Sequence, residues 1–375
     1  MSSFSDTLKN ITGDLFKPKG GSVLGLDVSS STIKVVQLGR KHGRAVLETY
    51  GELALGSYAG IETGKATSLS AEKLGEAVAD LMKEAKVSTN MCGVAIPLSA
   101  SLINIIEMPD VGEAKLREMV PIELRKYVPV SINEVMVDWR IVPKVESQDR
   151  TEQKVDETKQ KKVEILTVAI HKETISKYNT VVQKANLNAS FFEIEVFSTI
   201  RAALEEELAP TMIVGLGAGT TKIYIVDRKV LRESHVISRG SQEITLALTK
   251  GLGIPERQAD EMKRTYGVLK DGPNPDVGQI VSLVVDSIFA EAQHIMLSYQ
   301  RKHARNIGRV ILTGGGVVIP GMNERAHETF QADITVSNPF RKVEAPAFLA
   351  DVLRQVGPEF DVAVGVALRR LEEQG

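Results

Sequence analysis

The sequence predicts an α/β fold in which one βββ-α-β unit is used twice, and three observations predict it. The stretches "VLGLDVSSSTIKVV" (residues 23–36) and "MIVGLGAGTTKIYIV" (212–226) both read as two strands around a short turn carrying hydroxyls or glycine. Each is followed by a third strand, helical sequence and a short buried strand, in the same order. The chain, at 375 residues, is also longer than one core usually organises.

In the first half, "SVLGLDVSS", "TIKVVQLGR" and "RAVLETYGELAL" are consecutive strands rich in Val, Leu and Ile. "SLSAEKLGEAVADLMKEAKV" predicts a helix with Ser70 as N-cap and Leu74, Val78, Leu81 and Met82 on one apolar face. "MCGVAIP" closes the unit as a buried strand. An insertion from 104 to 185 follows, opening on the strand "INIIEMP". Its "EAKLREMVPIELRKYVP" predicts a helix aligning Leu116, Met119, Val120, Leu124 and Tyr127, kinked or restarted at Pro121. "EVMVDWRIVP" and "KKVEILTVAI" predict paired strands, and "ETISKYNTVVQKANL" a helix. The polar residues 144–162 between those strands are expected to form a solvated hairpin loop.

The second half repeats the order with "TMIVGLGA", "TTKIYIVD", "VLRESHVISRG" and "RVILTGGGVVI". Its insertion, 241–303, is predicted mainly helical. "GSQEITLALTKGLG" leads to "PERQADEMKRTYG", with Pro255 at a helix start, and a "DGPNP" loop follows. The long "QIVSLVVDSIFAEAQHIMLSYQRKH" predicts a core stripe of Ile280, Leu283, Val284, Ile288, Ile295 and Tyr299.

Composition narrows the function classes. Hydrophobic content of 43% and charged content of 25% are those of an ordinary globular protein. A net charge of −2 supplies no electrostatic reason for nucleic acid or anionic lipid as main partner. One cysteine, Cys92, cannot form an internal disulfide, and the six histidines make no metal-binding pair, so a reducing compartment, the cytoplasm, is expected. No uninterrupted run approaches the roughly 18 apolar residues that cross a bilayer. The first twenty residues lack a signal-peptide pattern. There Phe4, Leu8, Ile11 and Leu15 have helical spacing, and a mobile segment or small docked helix is expected over 1–20 rather than a membrane anchor.

The paired hairpins carry the chemistry. A short hydroxylated turn can aim several backbone N–H groups at phosphate oxygens, with Ser and Thr as further donors. Asp27, at the end of the first strand, can hold Mg²⁺ through water, and Lys34 can reach back as a point charge. Two such turns in a duplicated fold suggest jaws closing on one polyphosphate. "TGGG" (313–316) lets backbone approach a flat ring or ribose. "ADEMK" sets Asp260 and Lys263 one helical turn apart, suited to ribose hydroxyls and a base edge. In "DVAVGVALRRL" (361–371), Gly365 permits tight helix packing.

This order of segments resembles the ATP-binding superfamily of actin, the DnaK-type chaperones and the sugar kinases. The implied fold is a duplicated actin-like (RNase H-like) ATPase, two lobes around a nucleotide cleft. Within it the chain resembles the PilM family, the cytoplasmic actin-like components of type IV pilus assembly, related to the division protein FtsA. "GLDVSSSTIKVVQL" is similar to that family's opening strand pair, "IELRKYVPVSINEVMVDWRIV" to part of its inserted 1C subdomain, and "RVILTGGGVVIPGMNE" to its adenosine loop. The resemblance covers nearly the whole chain after about the first twenty residues. It implies subdomain 1A from 21–103, 186–208 and 361–375, 1C from 104–185, 2A from 209–240 and 304–360, and 2B from 241–303.

Carried over by position, the resemblance implies ATP and Mg²⁺ as cofactors. Asp27 would orient the metal, while Ser29, Ser30, Ser31, Thr32 and Lys34 would serve the first phosphate turn. Gly217, Gly219, Thr220 and Thr221 would form the second, with Gly240 closing near the nucleotide. Asp260 and Lys263 would hold ribose and base, and Gly314, Gly315 and Gly316 would line the adenosine pocket. Glu195 stands near the superfamily's water-positioning residue, but Glu193 lies two residues away, and either fits an ordinary strand-end carboxylate. The turn departs from pattern at Ser29, where Gly is usual. Gly215 stands where hydrolysing relatives begin the second hairpin with Asp, which removes charge that phosphoryl transfer needs. Asp260 also stands where a longer Glu is commoner. Binding with slow or absent hydrolysis is therefore expected.

The resemblance implies a scaffold recruited to the inner face of the cytoplasmic membrane through partners. Its cleft between 1A and 1C would receive the cytoplasmic N-terminal peptide of the membrane protein PilN, alongside other platform or motor proteins. Homo-oligomer formation is left open. The alternatives are an FtsA-like division protein, a small-metabolite kinase and a DnaK-type chaperone. The first is disfavoured because its C-terminal amphipathic helix is not found after "LRRLEEQG", the second because no acceptor-side base is evident, and the third because no substrate domain follows.

Overall fold

The computed structural model describes residues 21–62, 64–142, 161–205, 207–269 and 274–373. The segment 1–20, nearly all of 144–162 and most of the "DGPNP" turn lie outside the described residues. The chain divides into two compact units, one spanning Leu98–Tyr178 and one holding the chain up to Pro97 and from Asn179 onward.

In chain order, the first elements are β1 (Val23–Val28), β2 (Thr32–Lys41), β3 (Arg44–Ala54), α1 (Gly56–Ala59), α2 (Ala71–Glu84) and β4 (Met91–Ile96). Next come β5 (Ser101–Pro109), α3 (Glu113–Leu124), β6 (Val135–Ile141), β7 (Lys162–His171), α4 (Lys172–Lys184), β8 (Asn188–Ile194) and α5 (Glu195–Ala203). Then follow β9 (Thr211–Leu216), β10 (Thr221–Asp227), β11 (Val230–Ile237), α6 (Ser241–Leu252), α7 (Glu256–Tyr266) and α8 (Pro275–His303). The last are β12 (Arg309–Thr313), α9 (Met322–Phe330), β13 (Asp333–Val336), α10 (Ala350–Val356) and α11 (Asp361–Glu373).

The larger unit contains the duplication. One sheet runs β3-β2-β1-β4-β8 and the other β11-β10-β9-β12-β13. Each is an antiparallel meander of three strands extended by two parallel ones. β1 is buried along its whole length, as a continuous apolar strand at the centre of a covered sheet should be. Helix α2 begins where Ser70 accepts a hydrogen bond from the Lys73 N–H, and it buries Leu74, Val78 and Leu81. Helix α11 lies closely against the first sheet. A Cβ on Gly25 of β1 would fall 2.0 Å from the Ala363 carbonyl oxygen, and one on Gly365 equally close to that of Ser198 in α5.

Two helices differ from expectation. The helix does not restart at Pro121: α3 runs through it and stops at Leu124, burying Leu116, Val120 and Leu124 but leaving Tyr127 exposed. Packing of that face onto Ile106, Met108, Val163 and Ile165 outweighs the backbone hydrogen bond that proline removes. In α8 the buried stripe is Val277, Val281, Val285, Ile288, Phe289, Ala292, Met296 and Tyr299; the expected Ile288 and Tyr299 are in it and the expected Ile280, Val284 and Ile295 pack partly buried beside it, but Leu283 is 66% exposed. By length and composition α8 is also long and apolar enough to span a membrane, contrary to the expectation from the sequence. Its buried stripe packs into the core of the second sheet with Met212, Val214, Ile223 and Ile225.

In the smaller unit, β5, β7 and β6 form one antiparallel sheet in that order, with β7 central. The predicted β6–β7 pairing is therefore present, and β5 and β6 are the sheet's two edges.

Candidate functional site

The two hairpin turns have one construction. Val28 pairs with Ile33 and Leu216 with Thr221, so each turn spans four residues, 29–32 and 217–220. Each is closed by an equivalent bond, from the Ser29 N–H to the Thr32 carbonyl at 2.9 Å and from the Gly217 N–H to the Thr220 carbonyl at 3.0 Å. The Ser29 hydroxyl also donates to the Thr32 carbonyl at 2.9 Å, which spends its one donor inside the turn. Neither Gly217 nor Gly219 adopts a positive φ, so these glycines supply space rather than a left-handed turn.

Both turns open on one cleft of about 550 Å³, a size suited to a small organic ligand. Asp27, Ser29, Ser31, Thr32 and Lys34 line it from the first turn, and Gly217 from the second. Glu195, Asp260, Lys263 and Gly314 to Gly316 line it from α5, α7 and the loop after β12. Gly314 needs to be glycine: its φ is +87°, and a Cβ would sit 2.6 Å from the Leu216 carbonyl oxygen.

Five expected residues are not among those lining the cleft. Ser30 and Gly219 are the tips of the opposed turns, with a Cβ on Gly219 only 3.8 Å from Ser30 Oγ. The Ser30 carbonyl accepts from the Thr67 N–H at 2.7 Å, which holds the tip outward. Thr220 closes its turn through its carbonyl, and the Thr221 hydroxyl is buried, donating to the Arg239 carbonyl at 2.8 Å. Gly240 packs behind the second turn, where α6 starts and the Ser241 N–H donates to the Gly217 carbonyl at 2.9 Å.

The choice between Glu193 and Glu195 resolves geometrically. Glu193 accepts from Arg201 at 2.8 Å and from Arg369 at 3.0 Å in a buried network beneath α11, remote in role from the cleft. Glu195 is the first residue of α5 and pairs with the Lys222 ammonium at 2.6 Å. Sequence reasoning missed Lys222, Glu52, Arg264, Glu359 and Asp361, which also line the cleft. Lys222 was detectable, because it stands opposite Gly215 as Lys34 stands opposite Asp27. Arg264 directly follows the expected Lys263, whereas Glu52, from β3, Glu359, just before α11, and Asp361, at its start, are brought in only by the fold.

Burial dominates the electrostatics here. It pushes Asp27 up to about 6, with Lys34 opposing the rise and Glu195 adding to it. Asp361, buried at the start of α11, rises to about 7 although Ser337 and Thr313 donate to it. Burial likewise raises Glu359, helped by neighbouring Glu52. Burial would raise Asp260 too, but hydrogen bonds from Lys263 and Arg264 outweigh it and hold that carboxyl below its usual range. Lys263, which also donates to Thr245 at 2.9 Å, is lowered by burial.

Residues 25–371 match the family "Type IV pilus assembly protein PilM". The chain belongs to that family. A solved "PilM-PilN type IV pilus biogenesis complex" aligns with 94% of this chain and 99% of that one, at a TM-score of 0.78 and 20% identity. The ADP-bound MreB5 of Spiroplasma citri aligns with 95% of this chain and 98% of its own, at a TM-score of 0.54 and 12% identity. Among curated proteins, the cell division protein FtsA of Streptococcus pneumoniae is 24% identical over 189 residues, 44% of this chain and 41% of the relative. The chain spans about half the length of the curated relatives it matches. The fold is thus the actin-like fold of these solved structures, and the family to which the chain belongs is that of the type IV pilus assembly protein PilM.

Proposed function

We propose that the chain is an ATP-binding scaffold whose cleft clamps the two sheets together, and that it docks the cytoplasmic N-terminal peptide of PilN. The observation that carries the nucleotide reading is the convergence of both turns, the Gly314–Gly316 loop and the Asp260–Lys263 pair on one cleft. Its residues fit a nucleoside triphosphate. Lys34, Lys222, Lys263 and Arg264 supply cationic donors, and the glycine loop lets a flat ring approach backbone. For Mg²⁺, no cluster of three candidate ligands exists among the described residues. Asp27 suits the common case of one carboxylate beside phosphate and water ligands, where the ion would neutralise phosphate charge.

Turnover should be slow. At Gly215 no side chain is available to orient a metal or water. The protein would act in the cytoplasm and reach the inner membrane face through PilN. A solved PilM-PilN complex supports that partner. The edges of the β5-β7-β6 sheet are physically suited to an extended peptide. Two measurements test the reading. Gentle purification should retain ATP, and a synthetic PilN N-terminal peptide should capture the folded chain. Absence of both, with intact secondary structure, overturns it.

A further inference from the structure

We propose that Lys222 is the phosphate-gripping lysine of the second turn, specific for the terminal phosphate of a nucleoside triphosphate and held by Glu195 until that phosphate arrives. The inference deepens the nucleotide reading and rests on it. Register is the first support: Lys34 faces Asp27 across β1–β2, and Lys222 faces Gly215 across β9–β10. Each hairpin therefore carries one lysine at the same place behind its turn. The second support is position. Lys222 lines the cleft with Gly217 and Ala218, and its side chain keeps 25% exposure, whereas that of its partner Glu195 keeps 6%.

The third support is what faces each lysine. Lys34 bonds to Thr32 Oγ1 at 2.7 Å and pairs with Glu52 at 3.2 Å, opposite a carboxylate in Asp27. Lys222 is flanked by Gly215 on one neighbouring strand and Val236 on the other, so no carboxylate pairs with it in the sheet, and its partner reaches over from another element, α5. Lys263 and Arg264, the other cations on the wall, are committed to Asp260. Lys222 is thus the cleft cation that can trade one charge-assisted bond for another within a small side-chain movement. A phosphate carrying two negative charges competes well against a single carboxylate for a lysine ammonium. ADP, one phosphate shorter, would leave the Glu195 pair in place.

Fluorescent ATP and ADP analogues titrated against the full chain test this, with a melting curve for each variant. Lys222→Met should weaken ATP by about tenfold or more, the scale of one charged hydrogen bond, and ADP far less. Lys222→Arg should keep most of the ATP affinity, and Glu195→Gln should bind ATP at least as tightly as the parent. Should Lys222→Met not fold, the double variant Glu195→Gln, Lys222→Gln removes the pair without stranding a buried carboxylate and should show the same ATP-selective loss. Unchanged ATP affinity, or equal losses for ATP and ADP, overturns the assignment of Lys222 alone. A parent chain that binds neither nucleotide overturns the underlying reading as well.

Discussion

The first and second hairpins share a frame and differ in chemistry. Both have four-residue turns closed by the same backbone bond, and both sit in sheets of the same strand order with a lysine at the same register. The first carries Asp27 and three serines, while the second has Gly215 at the Asp27 position and Gly217, Ala218 and Gly219 in its turn. Deeper in the strand, Gly25 of the first copy corresponds by register to the fully buried Ile213 of the second. Gly25 admits α11, which brings Asp361 to the cleft. Duplication thus kept the geometry and the lysine and changed what surrounds them: a carboxylate and hydroxyls on one side, space on the other.

Exchanging residues between the copies breaks this comparison at graded cost. Gly25→Ile, which places the second copy's side chain into the first, should cost about 3 kcal/mol or more, or prevent folding, because backbone of α11 occupies the space. Urea unfolding reads it. A smaller effect follows from Asp27. Its folded value of about 6 lies above the ordinary 3.8, so its contribution is fully present below about pH 4 and is lost as pH rises through 6. Asp27→Asn should therefore flatten the pH dependence of nucleotide-free stability between about pH 4 and 7 by about 2–3 kcal/mol. It should also weaken Mg-ATP binding. The smallest effect is at Gly215, where a Cβ would meet only Thr313 Cγ2 at 3.5 Å and ordinary contacts beyond. Gly215→Ala should shift the unfolding midpoint by no more than about 0.5 kcal/mol equivalent. A large loss there would mean that the missing side chain is a structural need and not a functional change.

What was legible in the sequence had local causes. Turn chemistry and strand alternation reveal both hairpins, and a serine cap with its apolar face reveals α2. The cleft was legible through the repeat, since duplicated turns imply a shared target. Other features had non-local causes. Leu283, Val284 and Val285 form an unbroken apolar run, so which of them faces inward depends on how α8 packs on the second sheet. Pro121 breaks helices on average, yet here a core of β5 and β7 side chains holds α3 across it. Glu52 enters the cleft from β3, and Glu359 and Asp361 from just before and at the start of α11, two distant segments that no spacing rule could bring together. The β13 strand, only four residues long, carries too little pattern to be read.

The measurement that bears most directly on the two-jaw account is a crystal structure with a non-hydrolysable ATP analogue. The account predicts the triphosphate between the 29–32 and 217–220 turns, within hydrogen-bond reach of Lys34 and with the base beside Asp260 and Gly315. An analogue bound elsewhere, or gripped by one turn while the other faces solvent, would contradict it.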